Sequence, residues 1–254
     1  MSSVIFFEAR LASPLIVQPG SLCLESVLSA AVYEQTGKFG DDAMPHVPLV
    51  FSDHAGVRIY HASSILFAKP VFYSKETIIR RRRREEIGPD YYSGKKVRAS
   101  KKPSKTNPWS CEQGNGDYKA LMNDYRVVNA GSVGWFAETE DPEKVADMIM
   151  SLSWIGKRRG QGFGQIEAVF VRDTKESSAL FDASGMPRRA IPVDAYRELT
   201  GDNGFNGVPV AMSRNYAPSA WGREPLLCVV PSECEIEVED MLAVIDEDGE
   251  VFYG

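Results

Sequence analysis

Residues 156–166 read GKRRGQGFGQI, four glycines in eleven positions, with Lys157, Arg158 and Arg159 leading into Gly160, Gly162 and Gly164. Glycine loops that cradle nucleotide phosphates run from a strand into a helix, so that free N–H groups at the helix start face the anion. Here the order is reversed. Upstream, Asp141 and Pro142 make an N-cap followed by proline at the first helical position. Val145, Met148, Ile149 and Leu152 then recur at helical spacing, and Gly156 is placed to end the helix. Downstream, residues 166–171 read as a strand. The glycine spacing matches neither G-x-G-x-x-G nor G-x-x-x-x-G-K-[ST], so no nucleotide cofactor is expected. Glycines can instead let an extended polymer approach the backbone while Lys157, Arg158 and Arg159 meet its phosphates. A helix-to-strand hinge with exposed charges is the plainer reading, and three cations beside alternating glycines argue against it.

Residues 4–10 are β-branched and aromatic enough for a strand. Leu24, Val27, Leu28, Ala31 and Val32 form one apolar stripe on a helix that starts after Pro19 and Gly20. Residues 47–51 and 57–60 read as short extended pieces joined by a turn at SDHAG, and residues 133–138 as a further strand. The order is strand, helix, strand, insertion, strand, helix, strand, a split βαβ unit used twice. This predicts an α+β chain with a ferredoxin-like (RRM-like, βαββαβ) core over residues 1–172, carrying a basic insertion at about 73–128. Residues 173–254 are turn-rich, with LLCVVP and CEIEVED as short strands of a small C-terminal β-rich segment packed on the core. The acidic turn DEDGE near the end offers too few ligands in series for a calcium loop.

The net charge of −6 conceals a segregation: residues 75–105 hold 12 Lys or Arg against four Asp or Glu. Arg80, Arg81, Arg82, Arg83 and Arg84 are consecutive, and Lys95, Lys96, Arg98, Lys101 and Lys102 follow among Ser, Pro and Gly. A solvated surface loop would look similar. An otherwise acidic protein that keeps five adjacent arginines is better explained by a polyanion that offsets their repulsion. Tyr91, Tyr92, Trp109 and Tyr118 around this insertion, and Tyr216 and Trp221 in the C-terminal segment, are candidates for base stacking, and Tyr118 and Trp109 are the two favoured for it. Phe163, between two glycines, reads as a core anchor. The cysteines at 23, 111, 228 and 234 are too scattered for a zinc site, and no metal is expected. With no long apolar run and no signal-peptide pattern, the chain is expected to be soluble and cytoplasmic, with no membrane partner.

IGKRRGQGFGQI after a helix resembles the glycine-rich loop of the RAMP superfamily of CRISPR proteins. ARLASPLI, LCLESVLSAAVYE, the GDYKALMNDYRVVNAG stretch, RRAIPV and YAPSAWGREPLLCVVP are further similar to one branch. That branch is the fifth-Cas-family subunit that caps the guide-RNA 5′ handle in type IV effector complexes. The resemblance implies a non-catalytic crRNA-binding subunit without cofactors. Its partners would be crRNA, target DNA near the protospacer-adjacent motif, and the backbone and large subunits of the complex. It implies RNA contacts at Gly156, Lys157, Arg158, Arg159, Gly160, Gly162 and Gly164, at Tyr118 and Lys119, and at Arg188 and Arg189. The arginine run, with Trp109, would contact RNA or DNA. The alternative is a metal-independent crRNA-processing endoribonuclease of the same superfamily. His46, one of three histidines, would then be the acid–base group, assisted by Tyr33.

Overall fold

The computed structural model describes residues 4–18, 20–80, 121–201, 208–217, 224–232, 234–237 and 251–252. The chain divides into two compact units, one formed by Met1–Ser74 with Val127–Gly254 and the other by Lys75–Arg126. The first half contains β1 (Val4–Leu11), α1 (Leu24–Thr36), β2 (Phe51–His54), β3 (Val57–Tyr60), β4 (Leu66–Ala68) and β5 (Phe72–Arg80). Next come β6 (Leu121–Asn129), β7 (Ser132–Glu138), α2 (Pro142–Ser151) and β8 (Ile166–Asp173). The C-terminal segment adds β9 (Ile191–Pro192), α3 (Val193–Thr200), β10 (Val210–Ser213), β11 (Leu226–Val229), β12 (Glu235–Ile236) and β13 (Val251–Phe252). The fold is α+β.

The larger unit is built on a sheet of order β12-β4-β7-β1-β8-β13. β1 lies antiparallel between β7 and β8, and β4 pairs antiparallel with β7. β1 and β4 therefore run the same way with α1 between them in sequence, as do β7 and β8 with α2 between them. Alternation decides which residues meet the helices. Ile5, Phe7 and Ala9 of β1 and Val133, Trp135 and Ala137 of β7 share one buried cluster with Val27, Leu28 and Ala31 of α1 and Val145, Met148 and Ile149 of α2. Each large side chain in that cluster contributes roughly 1.5–3 kcal/mol by leaving water. Trp135 also satisfies its indole N–H on the Leu22 carbonyl at 3.0 Å. On the opposite face Phe6 and Phe136 pack with ring centroids 4.8 Å apart, and Val4, Leu66, Ala179 and Ile236 cover them. Gly134 must lack a Cβ because one would overlap the Phe6 ring.

The helix termini follow the local chemistry. Asp141 Oδ1 accepts from the Lys144 N–H at 3.1 Å, with Pro142 in the first turn. Gly37, at φ 73°, closes α1 by donating to the Tyr33 carbonyl at 2.8 Å.

Three elements differ from the sequence expectation. The second sheet strand of the larger unit is β4, not the pieces at 47–51 and 57–60, which contribute to a separate hairpin, β2–β3. At three residues β4 is too short to show a period, and its register comes from pairing Leu66 with Gly134 and Phe67 with Val133. The second helix ends at Ser151, short of Gly156. The C-terminal segment contains α3, whose Ala195 and Tyr196 are buried against Ile59, Leu180, Ile191 and Val229.

β5 and β6 pair as a two-stranded sheet. Asp124 holds Lys75 at 2.7 Å and accepts from Thr77 Oγ1 at 2.7 Å. The Lys75 hydrogen bond, then that of Thr77, keep the Asp124 carboxyl below its ordinary range. Among the described residues no helix is long and apolar enough to cross a membrane.

Candidate nucleic-acid interface

The glycine loop is laced to the segment that leaves β1. Lys157 N–H donates to the Ile16 carbonyl at 2.8 Å, Gly164 N–H to Pro14 at 2.8 Å, and Gln165 N–H to Ser13 Oγ at 2.9 Å. Ile155 N–H closes the loop on the Gly164 carbonyl at 2.8 Å. Two of the glycines serve this lacing. Gly156 (φ 80°) has no room for a Cβ beside Leu15 and the Ile16 carbonyl, and at Gly164 (φ 76°) a Cβ would overlap the Ile155 carbonyl oxygen. The other two face open space: nothing lies within 4 Å of a Cβ at Gly160 or Gly162.

Between these fixed ends the chain makes a 3-10 turn over Arg159–Gln161, entered by Arg158 at φ 60° and left through Gly162 at φ 90°. Lys157, Arg159, Gly160 and Gly162 are exposed, whereas Arg158 and Phe163 are half-buried. Phe163 belongs to none of the buried clusters, so the loop is anchored by its glycines and backbone hydrogen bonds more than by this ring. Arg159 Nη1 reaches Glu34 Oε1 of α1 at 3.1 Å, and both side chains are 45% exposed. An exposed pair of this kind is worth about 0–1 kcal/mol, so a phosphate can take Arg159 from Glu34 at little cost. Glu34, Leu152, Trp154, Arg159, Gly160 and Gly162 line a shallow recess of 470 Å³. Trp154 is an aromatic surface that sequence reasoning missed. Its position two residues before Gly156 was the only available signal.

Arg188 and Arg189 are corrections to the sequence reading, because neither guanidinium is presented to a polyanion. Arg189 is fully buried, with Nη2 2.5 Å from Glu25 Oε1. It also donates to the carbonyls of Tyr60 at 3.0 Å, Ala62 at 3.3 Å and Tyr216 at 3.1 Å. Burial drives the Glu25 carboxyl above its ordinary range, while Arg189 pulls in the other direction. Arg188, 5% exposed, lies 4.1 Å over the Phe136 ring and donates to the Ser178 carbonyl at 2.6 Å. Glu176 sits 2.7 Å from Arg188 Nη2 as an ion pair without an aligned hydrogen bond. Arg188 ties the C-terminal segment to the sheet at Phe136, and Arg189 ties it to α1 through Glu25 and to the carbonyls of Tyr60 and Ala62. Phe6 and Phe136 are consequently closed to a nucleic-acid base.

The loop is where the structure gathers predicted residues, from Gly156 to Gly164. Arg81, Arg82, Arg83, Arg84, Lys95, Lys96, Arg98, Lys101, Lys102, Trp109, Tyr118 and Lys119 lie outside the described residues, as do the side chain of Arg80 and the aromatics Tyr91, Tyr92 and Trp221. Tyr216 is 7% exposed and offers no face for stacking. His46 Nε2 contacts Lys38 Nζ at 2.9 Å on the surface, and Tyr33 packs edge-on to Phe39 instead of beside it. Burial pushes the Cys23 thiol up to about 12 and that of Cys228 up to about 11, which leaves both inert at neutral pH. Among the described residues no group of three or more His, Cys, Asp or Glu could hold a metal ion. No protein-family model matches the chain, and no curated protein matches it.

Proposed function

We propose that this chain is a guide-RNA-binding subunit that caps the crRNA 5′ handle in a type IV CRISPR–Cas effector complex and holds that RNA without cutting it. The core would be ferredoxin-like, of the RAMP type. Four neighbouring strands support this, since β8-β1-β7-β4 is the antiparallel order in which a split βαβ unit used twice interleaves. The observation that carries the reading is the division of labour among the glycines. Gly156 and Gly164 hold the loop against Leu15 and Ile155, while Gly160 and Gly162 leave bare backbone facing outward directly after Lys157 and Arg159. Bare backbone preceded by a run of cations suits a sugar–phosphate chain better than a small ligand, because it offers close approach and charge along a line. The basic stretch that follows β5 would add contacts to RNA or to target DNA, and the backbone and large subunits would complete the assembly.

The test is to purify the chain from cells that express its neighbouring genes and to sequence the RNA that accompanies it. The same is done with Lys157, Arg158 and Arg159 changed together to Ala. Guide RNAs sharing one 5′ end are expected with the parent chain and lost with the triple variant. Losing three phosphate contacts should also flatten the salt dependence of RNA binding by about 2 in log–log slope. Recovery of no defined RNA from the parent chain would reject the proposal.

A further inference from the structure

Outside the glycine loop, five side chains form one connected row. Glu138 Oε2 lies 3.0 Å from His61 Nδ1, and His61 Nε2 lies 2.8 Å from Ser52 Oγ. The same Ser52 oxygen is 2.9 Å from His54 Nε2. His54 Nδ1 faces Glu198 Oε2 at 3.6 Å, and the Ala55 N–H fixes that carboxylate at 2.7 Å.

The hairpin builds this row. Ser52 and His54 stand two residues apart on β2 and share a face. Ala55 and Gly56, at φ 47° and 74°, turn the chain back through β3. His61 then donates its N–H to the Val50 carbonyl at 2.8 Å, Glu138 N–H donates to the His61 carbonyl at 2.9 Å, and Val50 N–H to Glu138 at 2.9 Å. Three backbone bonds thus fix the end of β7 beside the hairpin.

Hydrogen-bond chemistry assigns the protons. A carboxylate only accepts, so His61 carries its hydrogen on Nδ1 and offers Nε2 as acceptor. Ser52 has one hydrogen to give and gives it to His61. Its lone pair then accepts from His54 Nε2–H, and the approach of His54 Nδ1 to the Glu198 carboxylate is favourable when that nitrogen carries a hydrogen as well. A carboxylate on Nδ1 and a serine hydroxyl on Nε2 is the arrangement that activates a serine nucleophile, and such sites are recognised by geometry and not by chain order. The imidazoles are reachable, at 22% exposed for His61 and 23% for His54.

We propose that Ser52 is the nucleophile of an acyl-transfer site, with His61 as its base, Glu138 positioning His61, and His54 as the donor to the oxyanion. The substrate class is a small uncharged carboxylic ester. Carboxylates at both ends of the row repel an anionic phosphodiester, which separates this site from the RNA-binding loop. Ser52 Oγ adds to the ester carbonyl carbon as its proton passes to His61 Nε2. The carbon–alkoxy bond then breaks, and the alkoxide leaves as the alcohol with that proton. Water, deprotonated by His61, attacks the acyl-serine and releases the carboxylic acid, and the proton returns to Ser52.

The experiment uses the full chain and a fluorophosphonate probe, which places a phosphonyl group on an activated serine oxygen as fluoride leaves. Intact-mass and peptide mass spectrometry read the adduct. A single adduct on Ser52 is expected, absent in Ser52→Ala and formed at least ~100-fold more slowly in His61→Gln. Glu138→Gln should slow labelling, and Glu138→Asp, which keeps a carboxylate for His61 Nδ1–H, should recover part of the rate. Circular dichroism confirms that each variant is folded. No adduct on Ser52, or equal labelling rates in the parent chain and a folded His61→Gln variant, would overturn the proposal.

Discussion

Changing Arg189 to Met separates a structural arginine from an RNA contact. The side chain is fully buried, sits 2.5 Å from Glu25 and serves three carbonyls, those of Tyr60, Ala62 and Tyr216. Its removal leaves the Glu25 carboxylate inside the protein without a counter-charge, which costs about 3–5 kcal/mol. Against a total stability of roughly 5–15 kcal/mol, the single variant stands near the edge of unfolding. Changing Glu25 to Leu in the same chain removes the stranded charge. The double variant then loses only the donors to three carbonyls, about 1–3 kcal/mol for each carbonyl left without another partner. Urea unfolding of the parent, both single variants and the double variant gives the coupling energy directly. The same double variant, folded but lacking Arg189, should bind RNA with the parent's salt slope. A cost below about 1 kcal/mol for the single change would refute the burial argument. So would a salt slope lowered by about 0.7 in the double variant, the signature of one lost single-strand phosphate contact.

Two further outcomes follow from the loop and from the C-terminal segment. Gly164→Ala should lower stability by about 2–5 kcal/mol, from left-handed strain and overlap with the Ile155 carbonyl, whereas Gly160→Ala should stay within about 0.5 kcal/mol. Equal melting temperatures for the two variants would show that the loop is not held as described. For Asp182, burial acts to raise the carboxyl's pKa, but hydrogen bonds from Ser184 and Met186 outweigh it and hold the group below its ordinary range. Its stabilising contribution is present above about pH 3.9 and is lost as pH falls through the lower folded value. The gap in melting temperature between parent and Asp182→Ala should therefore narrow from pH 7 toward pH 2, and a gap that stays constant would count against it.

Several elements were legible because they are long and locally patterned. α1 and α2 carry apolar residues at helical spacing, and β1, β7 and β8 are rich in β-branched and aromatic residues, signals that lie along the chain. Asp141 and Pro142 started α2 where the cap chemistry predicts. The position of the glycine loop between a helix and a strand, and hence its unsuitability as a nucleotide cradle, was equally a matter of neighbouring residues. Net charge and its segregation required no fold at all.

Other features depend on residues that meet only after folding. β4 is a strand because β7 lies beside it, and its three residues have no preference strong enough to announce it. Arg188 and Arg189 looked like phosphate ligands because a pair of adjacent cations carries no record of its partners. Glu25 stands 164 residues from Arg189, and that distant carboxylate turns a cation into a core residue. His54 read as part of a turn, and His61 drew no separate reading. Seventy-seven residues separate His61 from Glu138, and the carboxylate acts on the imidazole only once β7 has brought it to the hairpin. Periodicity and capping are short-range and can be read along the chain. Burial, ion pairing and the alignment of Ser52 with two imidazoles are long-range, and the packed sheet alone decides them.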